Sequence, residues 1–206
     1  MPTLAPSKIV CVGRNYAAHA KELGNEVPKQ PLLFLKPPSS LIRSGESIRL
    51  PTVSNRVEYE GEIGVVLGRR LRKASPAESR GAIAHVCASN DVTARDLQKS
   101  DVQFTRAKGF DTFCAVGELG PVPAELHGMR IRTLVNGEVR QDGQASDMVF
   151  DIPTLLSYIS NVMTLEPGDL VLTGTPEGVG TLAAGDVVEV EIAGVSRVSN
   201  PVTSDL

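Results

Sequence analysis

The sequence has no tryptophan, few other aromatic residues, few cysteines and no excess of positive charge. Aromatic residues make up 4% of the chain, which leaves little surface on which nucleic-acid bases could stack. Lysine and arginine total 21 against 24 acidic residues, and the net charge of -3 argues against binding to nucleic acid or to an anionic membrane. The three cysteines are widely spaced and form no CxxC pair, which argues against a disulfide framework and a thiolate zinc site. We expect them to be small buried apolar residues.

The chain also lacks the segments that direct a protein into or across a membrane. No apolar run approaches the length that spans a bilayer, and the opening MPTLAPSKIV lacks the charged start and apolar stretch of a signal peptide. We therefore expect a cytoplasmic protein. With 206 residues, 41% of them hydrophobic and 22% charged, the composition is typical of a folded globular chain. No linker divides it, so one domain over residues 1–206 is predicted, with a core from Lys8 to about Val202.

Local patterns predict many short strands and a few short helices. Asn136-Gly137, which lies between two strand-like segments, predicts a tight β-hairpin because both residues tolerate positive φ. Helix starts are predicted where a capping residue precedes a helical pattern: at Ser75 with Glu78, at Thr93 with Asp96, and at Asp151. The predicted strands are 8–12, 31–36, 57–67, 83–92, 129–135, 138–141, 170–173 and 187–192. The helix that Asp151 caps is predicted over 152–163, and a further helix over 15–23. Residues 83–92 would alternatively end a helix, but we expect a strand.

Three glutamates alternate along the predicted strand 57–67: Glu58, Glu60 and Glu62. Alternate side chains of a strand share one face, so neighbouring carboxylates lie about 6–7 Å apart. At an effective dielectric near 20, each such pair repels by roughly 2–3 kcal/mol. Solvation on an exposed face would offset this repulsion, and so would a hard divalent cation such as Mg²⁺ or Mn²⁺ bound by two of the carboxylates. The spacing leaves open which two glutamates would bind it.

Four other segments carry side chains that suit either chemistry or an ordinary structural role. Asp91, at the end of a predicted strand, would complete a carboxylate trio or simply make turn hydrogen bonds. His19 and Glu22 lie one helical turn apart, as a general base and its orienting carboxylate or as a surface pair. Lys108 precedes a glycine, and if it has no chemical role we expect it to be an ordinary surface lysine. Thr175 lies in a glycine-rich loop that matches no nucleotide-binding motif, but its hydroxyl can hold a carboxylate or a developing oxyanion.

The joint order of these segments is more specific than any one of them. GRNYAAHAKE is followed by PLLFLKP, EYEGEIGVVLG, NDVTARDLQ, RAKGFDTFC, VNGEVRQ and LTGTPEGVG. In this order the chain resembles the fumarylacetoacetate hydrolase superfamily, in particular its short acylpyruvase and fumarylpyruvate hydrolase-like members. The resemblance implies an α+β, β-rich fold, namely a mixed β-roll or distorted barrel with a few short helices and the metal at its open end. It also implies a homodimer.

The resemblance further implies a role for each candidate residue. The family's metal ligands match three carboxylates: Glu60, Glu62 and Asp91. The expected ion is Mg²⁺ or Mn²⁺, with Ca²⁺ as a substitute in vitro, and the role of Glu58 stays open. His19 and Glu22 match the dyad that activates water, and Lys108 matches the lysine that stabilises charge beside the metal. Substrate-binding positions are matched as well: Arg14, Arg95, Gln98 and Thr175.

These matches predict a metal-dependent hydrolase that cuts a carbon–carbon bond of acylpyruvates, such as fumarylpyruvate or acetylpyruvate, through an enolate at the metal. The same site would also serve an oxaloacetate decarboxylase or tautomerase, or a 5-carboxymethyl-2-hydroxymuconate-type isomerase, since each passes through such an enolate. A noncatalytic module, in which a cation neutralises the acidic strand and stabilises a dimer, is the third alternative. For the enzymes we expect a small 2-oxo acid as substrate and neither nucleic acid nor a membrane as partner.

Overall fold

Residues 4–204, which the computed structural model describes, form fifteen β-strands and five α-helices. The strands are β1 (Ile9–Gly13), β2 (Leu32–Lys36), β3 (Leu41–Arg43), β4 (Ile48–Leu50), β5 (Val57–Tyr59), β6 (Gly61–Leu67), β7 (Ile83–Asp91), β8 (Thr93–Ala94), β9 (Cys114–Val116), β10 (Arg130–Val135), β11 (Glu138–Gln144), β12 (Leu170–Leu172), β13 (Gly180–Thr181), β14 (Val187–Ile192) and β15 (Ser196–Ser204). The helices are α1 (Ala17–Glu22), α2 (Pro76–Arg80), α3 (Arg95–Ser100), α4 (Thr105–Lys108) and α5 (Ile152–Val162). Over these residues no helix combines the length and the apolarity that crossing a membrane requires.

The strands form two larger sheets and one small one. The first has seven strands in the order β2-β1-β12-β6-β7-β9-β3, the second five in the order β11-β10-β14-β15-β4, and the third three in the order β13-β5-β8. Parallel pairs (β1 with β12, β3 with β9) occur beside antiparallel ones (β6 with β7 and β12). The fold is therefore a β-rich, curled half-barrel with a few short helices, which confirms the predicted fold class.

The seven-stranded sheet is buried on both faces. Along β1, Val10 and Val12 pack into the larger apolar cluster, whereas Ile9 and Cys11 pack into a smaller one. Strands β14 and β15 contact β7, so the five-stranded sheet packs against the seven-stranded sheet. Burying an aliphatic side chain contributes roughly 1.5–3 kcal/mol. The sheet is thus a stable support for the polar side chains at its strand ends. All three cysteines are buried and free, as predicted.

The local turn and capping signals are confirmed. Asn136 and Gly137 have φ of 53° and 82° and join β10 to β11. The Ser75 hydroxyl accepts from the Glu78 N–H while the Glu78 carboxylate accepts from the Ser75 N–H at 2.8 Å, which is a complete capping box before α2. The Asp151 carboxylate accepts a hydrogen bond of 2.8 Å from the first turn of α5. Residues 83–92 form a strand, β7, as expected.

The predicted strand over residues 57–67 is divided at Glu60. Strand β5 pairs with β8 and β13, whereas β6 pairs with β7 and β12. The Glu60 N–H donates to the side-chain oxygen of Asn90 at 3.0 Å, so its acceptor is a side chain and not the backbone carbonyl of a neighbouring strand. Gly61 then passes so close to Thr133 that a Cβ at Gly61 would lie 1.9 Å from the hydroxyl oxygen. The chain changes sheets at this point, which alternation along the sequence does not reveal.

The predicted helix cap at Thr93 and Asp96 is wrong. Helix α3 begins after Ala94, and no side chain of residues 4–204 caps it. Thr93 instead belongs to β8, which pairs with β5, and its hydroxyl donates to the Asp91 carbonyl at 2.9 Å. The Asp96 carboxylate accepts from the Ser54 hydroxyl at 2.6 Å. Strand pairing therefore continues through the predicted cap, and the helix begins one residue later.

Candidate active site

One cavity of about 480 Å³ contains the chemistry that the sequence predicts. This volume lies in the range of small-molecule sites, about 300–1,000 Å³. All ten residues predicted for the site line it: Arg14, His19, Glu22, Glu60, Glu62, Asp91, Arg95, Gln98, Lys108 and Thr175. They come from segments spread over most of the chain, so only the tertiary fold brings them together. The individual roles of these residues stay predictions.

Three carboxylates meet at the base of this site because β6 and β7 run antiparallel. Gly61, the first residue of β6, pairs with Asn90 of β7, which places Glu62 and the preceding Glu60 beside Asp91. One oxygen of each carboxylate lies within 4.8 Å of the others. The three residues are 5%, 2% and 0% exposed. Solvation on an exposed face, the alternative for the acidic strand, is therefore wrong.

Two lysines neutralise part of this carboxylate cluster. The Lys108 Nζ lies 2.7 Å from a carboxylate oxygen of Glu60 and 2.7 Å from one of Asp91. The Lys36 Nζ lies 2.6 Å from the other oxygen of Asp91. Burial opposes the charged form of Lys108, but Asp91 and Glu60 outweigh it and raise the Lys108 pKa. Lys108 therefore stays an ammonium ion in contact with two candidate metal ligands.

Arg95 connects the cluster to the third glutamate of the acidic strand. Its Nη2 lies 2.5 Å from Glu60, its Nε 2.6 Å from Glu58, and its Nη1 2.5 Å from Gln98. Burial would raise the pKa of Glu60, but Lys108 and Arg95 outweigh it and hold the Glu60 pKa below its usual range. Glu58, whose role the sequence leaves open, is thus a buried partner of Arg95.

Glu62 is held differently from the other carboxylates. Within the described part of the chain no ion pair involves Glu62, and its carboxylate accepts from the Gly174 N–H at 2.7 Å. Burial, together with the charges of Asp91 and Glu60, raises the pKa of Glu62 well above its ordinary value. Four buried carboxylates (Glu58, Glu60, Glu62 and Asp91) face three buried cations (Lys36, Arg95 and Lys108) and the more exposed Arg56, whose Nε lies 2.6 Å from Glu58.

The donor set fits a hard divalent cation. Its candidate ligand atoms are all carboxylate oxygens, which Mg²⁺ and Mn²⁺ prefer over nitrogen or sulfur. Glu62 has no ion-pair partner among residues 4–204, and a bound cation would favour its ionised form, which burial opposes. A purely structural ion-pair network would pair each buried carboxylate with a cation, and this one does not.

His19 and Glu22 form a pair at the edge of the cavity. The His19 Nδ1 lies 3.2 Å from one oxygen of Glu22, and the Gly178 N–H donates to the other at 3.0 Å. An ionised glutamate only accepts hydrogen bonds, so the His19 Nδ1 carries the proton and the Nε2 has a free lone pair. His19 is 4% exposed. A neutral imidazole with a free Nε2 near the carboxylate cluster can accept a proton from a bound molecule.

The segment before this pair is held in a strained backbone conformation. Arg14, which lines the cavity, has a φ of 58°, in the left-handed region that non-glycine residues rarely occupy. The next residue, Asn15, is fully buried, and its side-chain nitrogen donates to Phe150 and Thr173 at 3.0 and 2.8 Å. Such conformations persist where the surroundings hold them, and they cluster at functional sites.

Lys36 and Gln141 are buried polar residues that the sequence reasoning does not single out. Lys36 ends an apolar strand and looks like an ordinary surface lysine in the sequence, yet its side chain is fully buried. Gln141 is 1% exposed, and its Nε2 donates to the Thr175 hydroxyl oxygen at 2.8 Å. Phe34 and Phe104, in edge-to-face contact at 5.6 Å, add an apolar wall to the cavity.

Comparison with known sequences finds one family over nearly the whole chain. The family model described as fumarylacetoacetate (FAA) hydrolase C-terminal matches residues 8–203. The mitochondrial oxaloacetate tautomerase of Arabidopsis thaliana is 43% identical over 198 residues, which cover 93% of this chain and 89% of that protein. The mitochondrial oxaloacetate decarboxylase of Dictyostelium discoideum is 41% identical over 195 residues, which cover 91% of this chain and 89% of that protein.

Solved structures give the same result at the level of the fold. A 5-carboxymethyl-2-hydroxymuconate delta-isomerase from Mycobacterium smegmatis superimposes with a TM-score of 0.91 at 42% identity, covering 98% of this chain and 81% of that one. A fumarylpyruvate hydrolase from Pseudomonas aeruginosa, solved with Mn²⁺ and pyruvate, superimposes with a TM-score of 0.92 at 28% identity, covering 99% of this chain and 92% of that one. Similar folds thus carry several reactions.

Proposed function

The chain belongs to the fumarylacetoacetate hydrolase superfamily, and we propose that it is a divalent-metal-dependent enzyme that hydrolyses a carbon–carbon bond of acylpyruvates. The observation that carries this proposal is that the His19–Glu22 pair lines the same cavity as the buried carboxylate cluster. Hydrolysis needs an activated water next to a polarised carbonyl, and this arrangement provides a base for the water. The similarity to the fumarylpyruvate hydrolase supports the same assignment.

Glu60, Glu62 and Asp91 would hold the metal, with Mg²⁺ or Mn²⁺ as the expected ion. When bound, such an ion supplies a Lewis acid for the 2-oxo acid end of the substrate. Lys108 and Arg95 keep Glu60 ionised before any metal arrives, so the ligand set needs little reorganisation.

The residues around the metal ligands then perform the proton transfers. The His19 Nε2 takes a proton from water, and the resulting hydroxide attacks the carbonyl carbon at position 4 of the acylpyruvate. The bond between carbons 3 and 4 breaks, which gives a carboxylic acid and the enolate of pyruvate. His19 returns its proton to carbon 3, so that pyruvate leaves. Glu22 holds the imidazole in the required tautomer, and Lys108 and Thr175 stabilise the negative charge that develops.

Oxaloacetate tautomerisation or decarboxylation is the second candidate. Two relatives whose names state these activities are 43% and 41% identical to this chain, against 28% for the fumarylpyruvate hydrolase. Isomerisation of a hydroxymuconate-type diacid belongs to the same alternative. In tautomerisation His19 would move a proton at carbon 3 of the substrate and no water would be consumed, whereas decarboxylation needs no base for water.

A paired assay separates the two candidates. Acetylpyruvate and oxaloacetate are each followed by ultraviolet absorbance, with Mg²⁺ and with a chelator. We expect Mg²⁺-dependent loss of acetylpyruvate with pyruvate appearing in equal amount. Metal-dependent conversion of oxaloacetate without any cleavage of acetylpyruvate would replace the hydrolase by the second candidate. A thermal shift with Mg²⁺ but no turnover of any 2-oxo acid would favour the noncatalytic module.

The histidine variant tests the role of the base. We expect His19→Gln to lower acetylpyruvate hydrolysis by roughly 100-fold or more, the usual contribution of a general base. The matched control is His127→Gln, since His127 is exposed and lies outside the cavity. Equal hydrolysis rates for His19→Gln and the wild-type protein would exclude His19 as the base.

Domain organisation and assembly stay predictions. We propose that residues 1–206 form one domain and that two copies pair as a homodimer, as the superfamily resemblance implies. Light scattering at several concentrations tests the dimer, and limited proteolysis tests the single domain. A monomeric mass, or two stable proteolytic fragments, would contradict the corresponding proposal.

A further inference from the structure

Gln141 joins the strand that carries two candidate metal ligands to the loop that carries Thr175. Its side-chain oxygen accepts from the N–H of Gly61 at 2.9 Å, and Gly61 lies between Glu60 and Glu62. Its Nε2 donates to the Thr175 hydroxyl oxygen at 2.8 Å and to the Pro176 carbonyl at 2.8 Å. Gln141 comes from β11 of the five-stranded sheet, so it reaches the site from outside both segments.

The partners fix the orientation of this amide. The Gly61 N–H is a donor and must face the amide oxygen, while the Pro176 carbonyl is an acceptor and must face the NH₂ group. The two hydrogens of Nε2 are therefore used by Thr175 and Pro176. Because Gln141 is 1% exposed, water does not compete for these bonds. The Thr175 hydroxyl oxygen consequently receives a hydrogen bond from Gln141.

This bond determines which way the Thr175 hydroxyl can act. Having accepted from Gln141, the hydroxyl retains its own hydrogen to donate. Within residues 4–204 one protein acceptor is in reach of that hydrogen, the carbonyl oxygen of Pro176. This oxygen lies 3.5 Å from the Thr175 hydroxyl oxygen, at the outer limit of a hydrogen bond, and it already accepts from Gln141. Thr175 lines the cavity, so the remaining direction for its hydrogen is toward a bound molecule.

We propose that Gln141 is a positioning residue that sets the Thr175 hydroxyl as a hydrogen-bond donor to an anionic oxygen of the substrate. The proposal rests on the proposed function, in which Thr175 contacts the substrate. Without Gln141 the hydroxyl is free to turn its hydrogen to Pro176 and present lone pairs to the anion, which repels them. Gln141 thus acts through Thr175 and does not itself line the cavity.

The test measures binding of oxalate, a planar dianion that resembles the enolate of pyruvate, to the Mg²⁺-loaded protein by calorimetry. We expect Gln141→Met, which keeps the length of the side chain, to weaken oxalate binding about ten-fold or more, as for loss of a hydrogen bond to a charged group. Thr175→Val should weaken it to a similar extent. In the double variant Gln141→Met should cost nothing further, because its effect passes through the absent hydroxyl.

Two further variants separate positioning from a general structural effect. Thr175→Ser retains a hydroxyl and should keep both the affinity and its sensitivity to Gln141→Met. Gln144→Met, at an exposed glutamine on the same strand, is the matched control and should bind oxalate like the wild-type protein. A structural effect of Gln141→Met would instead persist in the Thr175→Val background and would lower the unfolding temperature in parallel with the affinity.

The outcomes distinguish this proposal from the proposed function. If the wild-type protein binds no oxalate with Mg²⁺ or Mn²⁺, the proposed function fails and the role of Gln141 fails with it. If the wild-type protein binds oxalate and Gln141→Met binds it equally well, or if the two losses simply add, only the role of Gln141 is overturned. Should Gln141→Met not fold, Gln141→Glu keeps the shape and the contact with Gly61. Its second oxygen draws the Thr175 hydrogen to itself, so its loss of affinity should shrink in the Thr175→Val background.

Discussion

The carboxylate cluster and the exposed β10–β11 ladder contain the same kinds of ion pair in opposite surroundings. In the cluster Arg95 contacts Glu58 and Glu60, and the three side chains are 1–6% exposed. On the ladder Arg130 contacts Asp142, and these side chains are 46% and 36% exposed. Water screens the second pair, so it contributes little to stability. In the carboxylate cluster each of these three buried charges is stabilised by its ion-pair partners, because burial leaves little water to solvate it.

This difference in solvent exposure shows the role of the buried cations. On the ladder a charge can be lost at little cost, whereas in the cluster Arg95 and Lys108 keep Glu60 ionised, although burial would raise the pKa of Glu60. Glu62, without such a cation, is the exception inside the cluster. A bound metal ion would favour the ionised form of Glu62, which burial opposes. The predictions below test this comparison.

The largest effect should come from removing one candidate ligand. Glu60→Ala is expected to lower metal-dependent turnover by about 1,000-fold or more, which corresponds to about 4 kcal/mol of transition-state stabilisation. The chain should still fold, because Arg95 retains Glu58 and Lys108 retains Asp91. Steady-state rates and circular dichroism measure the two effects, with Glu191→Ala on β14 as the control. Undiminished turnover in Glu60→Ala would exclude the metal assignment.

The next effect concerns stability without metal. Lys108→Met leaves Glu60 and Asp91 with one cation fewer inside the protein, so we expect a loss of about 3–5 kcal/mol in the free energy of unfolding. Urea denaturation in the presence of a chelator measures it. The exposed Lys29→Met serves as the control. A loss no larger than that of the control would mean that the buried pairs are no more important than those of the ladder.

Glu62 should respond in the opposite direction. Glu62→Gln removes a carboxyl group whose ionisation burial opposes, while its amide oxygen can still accept from Gly174, so the metal-free protein should become more stable, by about 2–4 °C in unfolding temperature for each kcal/mol gained. Wild-type protein should gain about 2.7 kcal/mol from Mg²⁺ at 100 times its Kd, and Glu62→Gln should lose that gain. Thermal melts with and without Mg²⁺ decide this. A less stable metal-free variant, or an intact Mg²⁺ response, would refute the role assigned to Glu62.

The smallest effect belongs to the exposed ladder. Asp142→Asn removes the contact with Arg130, and we expect the unfolding temperature to change by no more than about 2 °C. Turnover should not change, because Asp142 lies outside the cavity. A loss as large as that of Lys108→Met would show that burial does not separate the two sets of ion pairs.

The sequence predicts features whose interacting residues lie close together along the chain, and it misses features whose interacting residues lie far apart. The capping box at Ser75, the Asn136-Gly137 hairpin and the strand that begins at residue 83 follow from neighbouring residues, and the structure confirms them. The site residues are predictable because their motifs occur together in one order. Lys36 lies 55 residues from Asp91, and Gln141 lies 34 residues from Thr175. No local pattern distinguishes these two from ordinary polar residues.

The strand break at Glu60 is missed for a related reason. Apolar and acidic residues alternate through it without interruption, so periodicity predicts one strand. The break depends on a side-chain acceptor, Asn90, and on the narrow space beside Thr133, both of which belong to other strands. Tertiary contacts therefore decide the geometry of the candidate ligand.

The carboxylate cluster lies at β6–β7 and the His19–Glu22 pair lies on α1, and this separation affects how the reaction of such a protein can change. Glu62 and Asp91 lie on the paired strands β6 and β7, and Glu60 directly precedes β6, whereas His19 and Glu22 lie on a six-residue helix that accepts a hydrogen bond from Gly178 of the glycine-rich loop. Under the proposed function, substitutions in α1 would change which proton is moved while Glu60, Glu62 and Asp91 stay in place. The fold and the carboxylate cluster can thus be conserved while substitutions in one short helix change the reaction.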